Sequence, residues 1–183
     1  MPPDGWTDIS TLPGVSMAIG YHRPDNFTGA VLPGYENEGA WLVRPAARAL
    51  GEALDELGEE GLGLVVYDAY RPVRATLAMV AWCVSNGRDD LLDGWVGRRS
   101  RHNRGVAVDV GLTQRGSGAR VPMGVWDRFD EGSGHGRAVG AERVHRRRLR
   151  DAMERAGFAP YRREWWHYEF PMADAPPPLD VPY

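Results

Sequence analysis

The chain has 183 residues, 43% of them hydrophobic, and a formal charge of −3, which suffices to bury the core of one globular domain and offers no basic excess for a nucleic-acid backbone. No apolar run approaches the ~20 residues that span a bilayer, so membrane drops out as a partner along with nucleic acid. Lysine is absent and Cys83 is the one cysteine, which excludes an internal disulfide, a cysteine-built zinc site, Schiff-base chemistry and a Gly-Lys-Ser/Thr phosphate loop, and leaves His and carboxylate as metal donors.

The opening MPPDGWTDIS has neither a basic n-region nor an apolar h-region, so the expectation is a cytoplasmic protein. Residues 1–20 are expected to wrap the domain. The first forty residues are rich in Gly, Pro and Asn and predict loops with short strands around 17–21 and 28–32. From Arg44 the apolar residues Ala47, Leu50, Leu54 and Leu57 recur at helical spacing, with Pro45 placed for the first turn and Gly58 for the stop. Residues 62–70 (LGLVVYDAY) predict a largely buried strand. Pro72 then opens a second helix with Leu77, Ala78, Ala81 and Trp82, which sets Arg71 at a strand-to-helix junction and packs Cys83 in a helix.

Residues 87–101 are polar and irregular, 106–110 (VAVDV) predict a strand, and 116–118 and 131–136 predict loops. An amphipathic helix is predicted over 141–156, with Val144, His145, Leu149, Ala152, Met153 and Ala156 on one face and its RRRLR run as a solvated face. The aromatic density of 161–170 favours a strand, and the Pro-rich tail 174–183 is read as extended and loose. Strands and helices segregate without regular βαβ alternation. The fold class read from this is α+β, a single domain over 1–183 with a central antiparallel sheet flanked by helices.

Two segments carry candidate chemistry. In SRHNRGVAVD, His102 and Asp109 are seven residues apart, so an unbroken strand would point them to opposite faces. Gly105 lies between them and permits the turn that brings both to one ion, while Val106, Val108 and Val110 enter the core. The other reading of this segment is a surface histidine and a salt-bridged aspartate. The second segment, Glu164-Trp-Trp-His167, can supply a third ligand and a base, and two His with one carboxylate are a proper set for a catalytic zinc with an open position. That requires Glu164 in the bend entering the strand, with Glu169 as the lesser candidate base. The other reading here is an aromatic core strand.

The pattern Ser100-x-His102-x-x-Gly105-x-Ala107-x-Asp109 followed by Glu164-x-x-His167 resembles the VanX-type D-Ala-D-Ala dipeptidases, in the zinc D,D-peptidase group that shares a fold with the Hedgehog signalling domain. DNFTG at 25–29, GY at 34–35, YRP at 70–72, VPMG at 121–124, FD at 129–130, the RRRLR helix and EWWHY fall in that family's order. The resemblance implies one zinc per chain on His102, Asp109 and His167, Glu164 as the base toward a zinc-bound water, and Arg71 stabilising the transition state. The implied substrate is the small zwitterion D-Ala-D-Ala, for whose ends Tyr21, Tyr35, Ser100 and Asp130 are the weaker candidates. Two other functions remain open: a D,D-carboxypeptidase acting on longer peptidoglycan stems, and a non-catalytic zinc-binding module, for which Glu164 and Arg71 would be superfluous. His22, His135 and His145 have no partner motif.

Overall fold

The computed structural model describes every residue from Met1 to Tyr183. Strand β1 (Trp6–Asp8) pairs antiparallel with β3 (Trp41–Val43) in a small two-stranded sheet, and β2 (Val15–Met17) lies between them in sequence but joins the main sheet. Helix α1 (Arg44–Glu59) starts with proline in its first turn and buries Ala46, Leu50, Ala53, Leu54 and Leu57. Gly61, at φ +72°, makes the turn into β4 (Leu62–Asp68). Pro72 caps α2 (Val73–Ser85), whose buried side is Ala75, Thr76, Met79 and Cys83 rather than the Leu77 side, since Leu77 is 59% exposed. Strand β5 (Ala107–Gln114), helix α3 (Gly140–Arg155) and the short strands β6 (Ala159–Pro160) and β7 (His167–Glu169) complete the chain.

The main sheet has the order β2-β4-β5-β7-β6. Three of its pairings are antiparallel, but β2 lies parallel to β4, so the sheet is mixed at one edge rather than wholly antiparallel. The parallel pair is possible because α1 and the preceding loop provide the crossover that parallel strands need. The strand expected at 17–21 lies instead at Val15–Met17, and 28–32 forms no strand. There Asn26 folds the chain back on itself, its amide donating to the Arg23 and Ala30 carbonyls.

Register fixes the two faces of the sheet. Leu64, Val66, Val108, Val110, Leu112 and Tyr168 share one face by pairing, and α1 packs on β4 and α3 on β5 there. Asp109 and His167 pair directly across β5 and β7 and point to the other face. A bulge between Val66 and Asp68 turns Asp68 to that same side, opposite Asp109.

Two expectations for α3 and the tail change. Val144 is 64% exposed, while Arg146, the first arginine of the RRRLR run, is buried. Its guanidinium donates to the carbonyls of Met123 (2.7 Å), Gly132 (2.8 Å) and Gly134 (3.1 Å) and lies over the Trp165 ring, so the loop between β5 and α3 is built around it. The tail is extended but docked: Leu179 exchanges backbone hydrogen bonds with Val73 and Asn103, and Tyr183 packs its ring on Trp41 at 4.5 Å. No helix is long and apolar enough to cross a membrane.

Candidate active site

His102 sits in a single 3-10 turn (His102–Arg104) that Gly105 ends in the left-handed region at φ +62°. A side chain at Gly105 would meet the Trp6 ring at 2.1 Å, so both backbone and space require glycine there. The turn is tied to the end of β4: Arg71 N–H donates to the His102 carbonyl (3.1 Å), and His102 Nδ1 donates to the Ala69 carbonyl (2.6 Å). A carbonyl only accepts, so Nδ1 carries the proton and the lone pair of Nε2 faces the cavity.

Three donor atoms converge there. His102 Nε2 lies 3.3 Å from Asp109 Oδ1 and 3.1 Å from His167 Nδ1, which is 3.0 Å from Asp109 Oδ1. On the far side of its ring, His167 Nε2 faces Glu169 Oε1 at 3.4 Å, which orients the Nδ1 lone pair inward. Two imidazole lone pairs and a carboxylate oxygen this close repel one another unless a cation lies among them. A tetrahedral zinc with ~2.0–2.1 Å bonds sets its ligand atoms about 3.3 Å apart, so the triangle fits that ion. The electrostatics show the same demand for positive charge. Burial works against the Asp109 carboxylate, yet His102 and His167 hold it far below the usual range; burial also opposes the His167 cation, yet Asp109, Glu169 and Glu164 push it up to about 10. His102, Asp109 and His167 are together the one group of His, Cys and carboxylate side chains in the chain able to hold a metal.

Glu164 lies in the turn before β7, its N–H donating to the Tyr161 carbonyl at 3.2 Å, and its Oε2 is 4.0 Å from His167 Nδ1. This is the bend that lets Glu164 and His167 face one cavity despite their odd spacing. Burial, only partly offset by His167, raises its carboxyl to about 8. Glu169 is 40% exposed at its side chain and pairs with Arg101 at 3.6 Å.

Arg71 lines the same cavity, and its Nε and Nη2 donate to Asp68 Oδ2 at 2.9 and 2.8 Å. The ion pair and the cavity position thus coexist. Asp68 also accepts from Tyr35 Oη at 2.5 Å, and the Arg71 guanidinium lies 4.9 Å from the Tyr21 ring centre. Burial works against the Arg71 cation, and Asp68 and its neighbours more than compensate, so it is fixed as a cation.

The cavity, about 220 Å³, gathers Tyr21, Arg71, Ser100, His102, Asp109, Glu164 and His167 from the sequence-derived candidates, with Glu169 at its edge. Two candidates fall elsewhere. Tyr35 is fully buried behind Asp68 and does not reach the cavity. Asp130 caps the 3-10 turn Glu131–Ser133 by accepting from Gly132 N–H and pairs with Arg128 at the surface.

In place of Asp130, the cavity is lined by Asp127, three residues earlier. It accepts from Tyr21 Oη (2.8 Å) and Phe27 N–H (2.8 Å), and burial raises it to about 7 against those two hydrogen bonds. It is also the one non-glycine residue at positive φ, +62°. Aspartate tolerates that conformation, which is the only local signal the sequence offered. His22 and His145 are spent on the carbonyls of Tyr35 and Pro122.

Residues 7–182 match the D-Ala-D-Ala dipeptidase family. The D-alanyl-D-alanine dipeptidase of Enterococcus faecium is 36% identical over 173 residues, covering 85% of each chain. That of Enterococcus faecalis is 36% identical over 189 residues, covering 94% of this chain and 90% of its own. Among solved structures, the LD-carboxypeptidase LdcB is similar with a TM-score of 0.55 at 17% identity, over 93% of this chain and 69% of its own, a likeness of fold.

Proposed function

The chain belongs to the D-Ala-D-Ala dipeptidase family, and from that premise we propose that it hydrolyses D-Ala-D-Ala with one zinc held by His102, Asp109 and His167. The observation that carries the reading is the 3.0–3.3 Å triangle of donor atoms set beside a buried carboxyl and a fixed guanidinium. Zinc, when bound, supplies Lewis acidity, making water acidic enough to lose a proton near neutrality and polarising the scissile carbonyl.

The chain's own groups do the rest. Glu164 takes the proton from the attacking water and delivers it to the leaving amine. Its elevated proton affinity suits a group that must hold a proton between the two steps, and the charge of a bound cation draws that affinity back toward neutrality. Arg71, held by Asp68 so that it cannot swing away, presents positive charge to the oxyanion of the tetrahedral intermediate. Asp68 is in turn held by Tyr35, which is therefore a positioning residue. Asp127 and Tyr21 face the substrate ammonium, and Ser100 hydroxyl and the arginines beside it face the carboxylate.

The cavity's 220 Å³ is below the roughly 300–1,000 Å³ of sites for drug-sized ligands. A dipeptide suits it better than a stem peptide. A non-catalytic zinc module would gain nothing from burying Glu164, which costs free energy without helping to hold metal. The test is a release assay with zinc-loaded protein on D-Ala-D-Ala, L-Ala-L-Ala and N-acetyl-D-Ala-D-Ala. D-Ala-D-Ala is expected to be cleaved at least about 100-fold faster than the acetylated substrate, because blocking the amine leaves Asp127 without its partner. Equal rates on both identify a carboxypeptidase, and no cleavage of any identifies a binding module.

A further inference from the structure

Behind the sheet, α3 carries Arg143, Arg147 and Arg150 at i, i+4 and i+7, one face of the helix. His135, from the short turn His135–Arg137, closes the opposite side, and these four residues line a cavity of about 180 Å³ with no hydrophobic wall. His135 Nε2 and Arg150 Nε are buried there without a hydrogen-bond partner. So is the hydroxyl of Tyr168, which is fully buried beneath them with its ring 6.1 Å from His135. Buried polar atoms are nearly always paired, so three unpaired ones packed against this cavity leave its wall short of acceptors beside a cluster of cations.

The charge of the place specifies the partner that would supply acceptors. Arg143 has no carboxylate within 4.0 Å. Arg147 faces Asp151 at 3.6 Å, and Arg150 faces Asp151 and Glu154 at 3.8 Å each, beyond hydrogen-bond reach. The guanidinium N–H groups are therefore free to donate. Burial, together with Arg150 and Arg146, holds His135 down to about 4, so its ring is neutral and adds no charge beside the arginines.

We propose that His135, Arg143, Arg147 and Arg150 form a binding site for a small tetrahedral oxyanion of the phosphate class. A volume of about 180 Å³ admits phosphate with a water or two. Planar guanidinium forks match such an oxyanion in geometry as well as charge. Tyr168 follows His167 on β7 and points to the opposite face, so the site lies behind the metal centre and shares no residue with it.

The test is calorimetric titration of the zinc-loaded full chain with inorganic phosphate, and separately with ADP, at fixed ionic strength. Saturable phosphate binding is expected, weakened at least about tenfold in Arg143→Ala and in Arg147→Ala, both solvent-facing changes, with dipeptide turnover unchanged in each. ADP binding tenfold tighter than phosphate and lost in the same variants supports the site and assigns the oxyanion to a nucleotide's phosphoryl group. Absence of saturable binding overturns the proposal. So does binding that survives both arginine variants but is lost in His167→Ala, since that places the anion on the metal.

Discussion

Asp127 is a carboxyl group held at φ +62° with its oxygens spent on Tyr21 and Phe27, and both features bear on how it titrates. Its folded value of about 7 stands above the ordinary ~3.9 of an unfolded chain. Between those two values the unfolded state releases the proton first. Stability is therefore lost as pH rises from about 4 to about 7, and the penalty is complete above that. Asparagine copies the protonated acid: its oxygen accepts from Phe27 N–H, its amide donates to Tyr21 Oη, and it accepts a left-handed backbone. Asp127→Asn is predicted to raise Tm by at least about 2 °C at pH 8 and to leave it nearly unchanged at pH 4. Its KM for D-Ala-D-Ala should rise at least tenfold, because the substrate ammonium loses a charged partner. For the same reason the KM of the unaltered enzyme should fall as pH climbs through 7. Thermal melts and kinetics at the two pH values check both, and an unchanged KM removes Asp127 from substrate recognition. The sequence held His102, Asp109, Glu164 and His167 in recognisable spacing, whereas Asp127 is one of two similar carboxylates in WDRFD. Only the backbone turn at 127 decides which of them enters the cavity and leaves Asp130 as a surface cap.

At the level of elements, α1 was legible because Pro45 and the Ala47-Leu50-Leu54-Leu57 period agree with one another, but the helix runs Arg44–Glu59, through the expected stop at Gly58, and the left-handed glycine that turns the chain is Gly61. The RRRLR helix was legible in extent but not in orientation. An arginine is normally solvent-facing, and the sequence gives no sign that three carbonyls of a distant loop will meet Arg146. The turn from His102 into β5 shows the opposite case, since seven-residue spacing demanded a break and Gly105 was the residue able to make it. Gly105→Ala tests that element. It meets a left-handed backbone penalty of about 1–2 kcal/mol and a collision with Trp6. It should move His102 and weaken zinc binding 10–100-fold, the range for loss of a group that orients a ligand. Competition with a zinc chelator measures it, and unchanged affinity would show that the turn does not position His102.

For the molecule as a whole, the α+β class followed from the segregation of helices and strands, while the parallel edge strand β2 did not, because a three-residue strand carries no periodic signal. Nor did the docking of the Pro-rich tail. Its aromatic terminus closes over Trp41 and Tyr70, and its Leu179 bonds to the carbonyl of Asn103, next to His102. Removing residues 174–183 is predicted to cost about 3 kcal/mol or more from the lost hydrogen bonds and aromatic contacts, and so to lower Tm by roughly 6–12 °C. A melt unchanged by the truncation would make the tail a mere appendage. In the proposed mechanism, the groups that hold metal are distinct from the group that moves the proton. Glu164→Gln keeps the size and nearly the shape of the side chain but cannot take a proton. The decisive measurement is zinc content and D-alanine release from D-Ala-D-Ala on the same preparation of that variant. One zinc per chain with turnover reduced at least about 100-fold is the predicted result; retained turnover with zinc bound, or loss of the zinc itself, would contradict it.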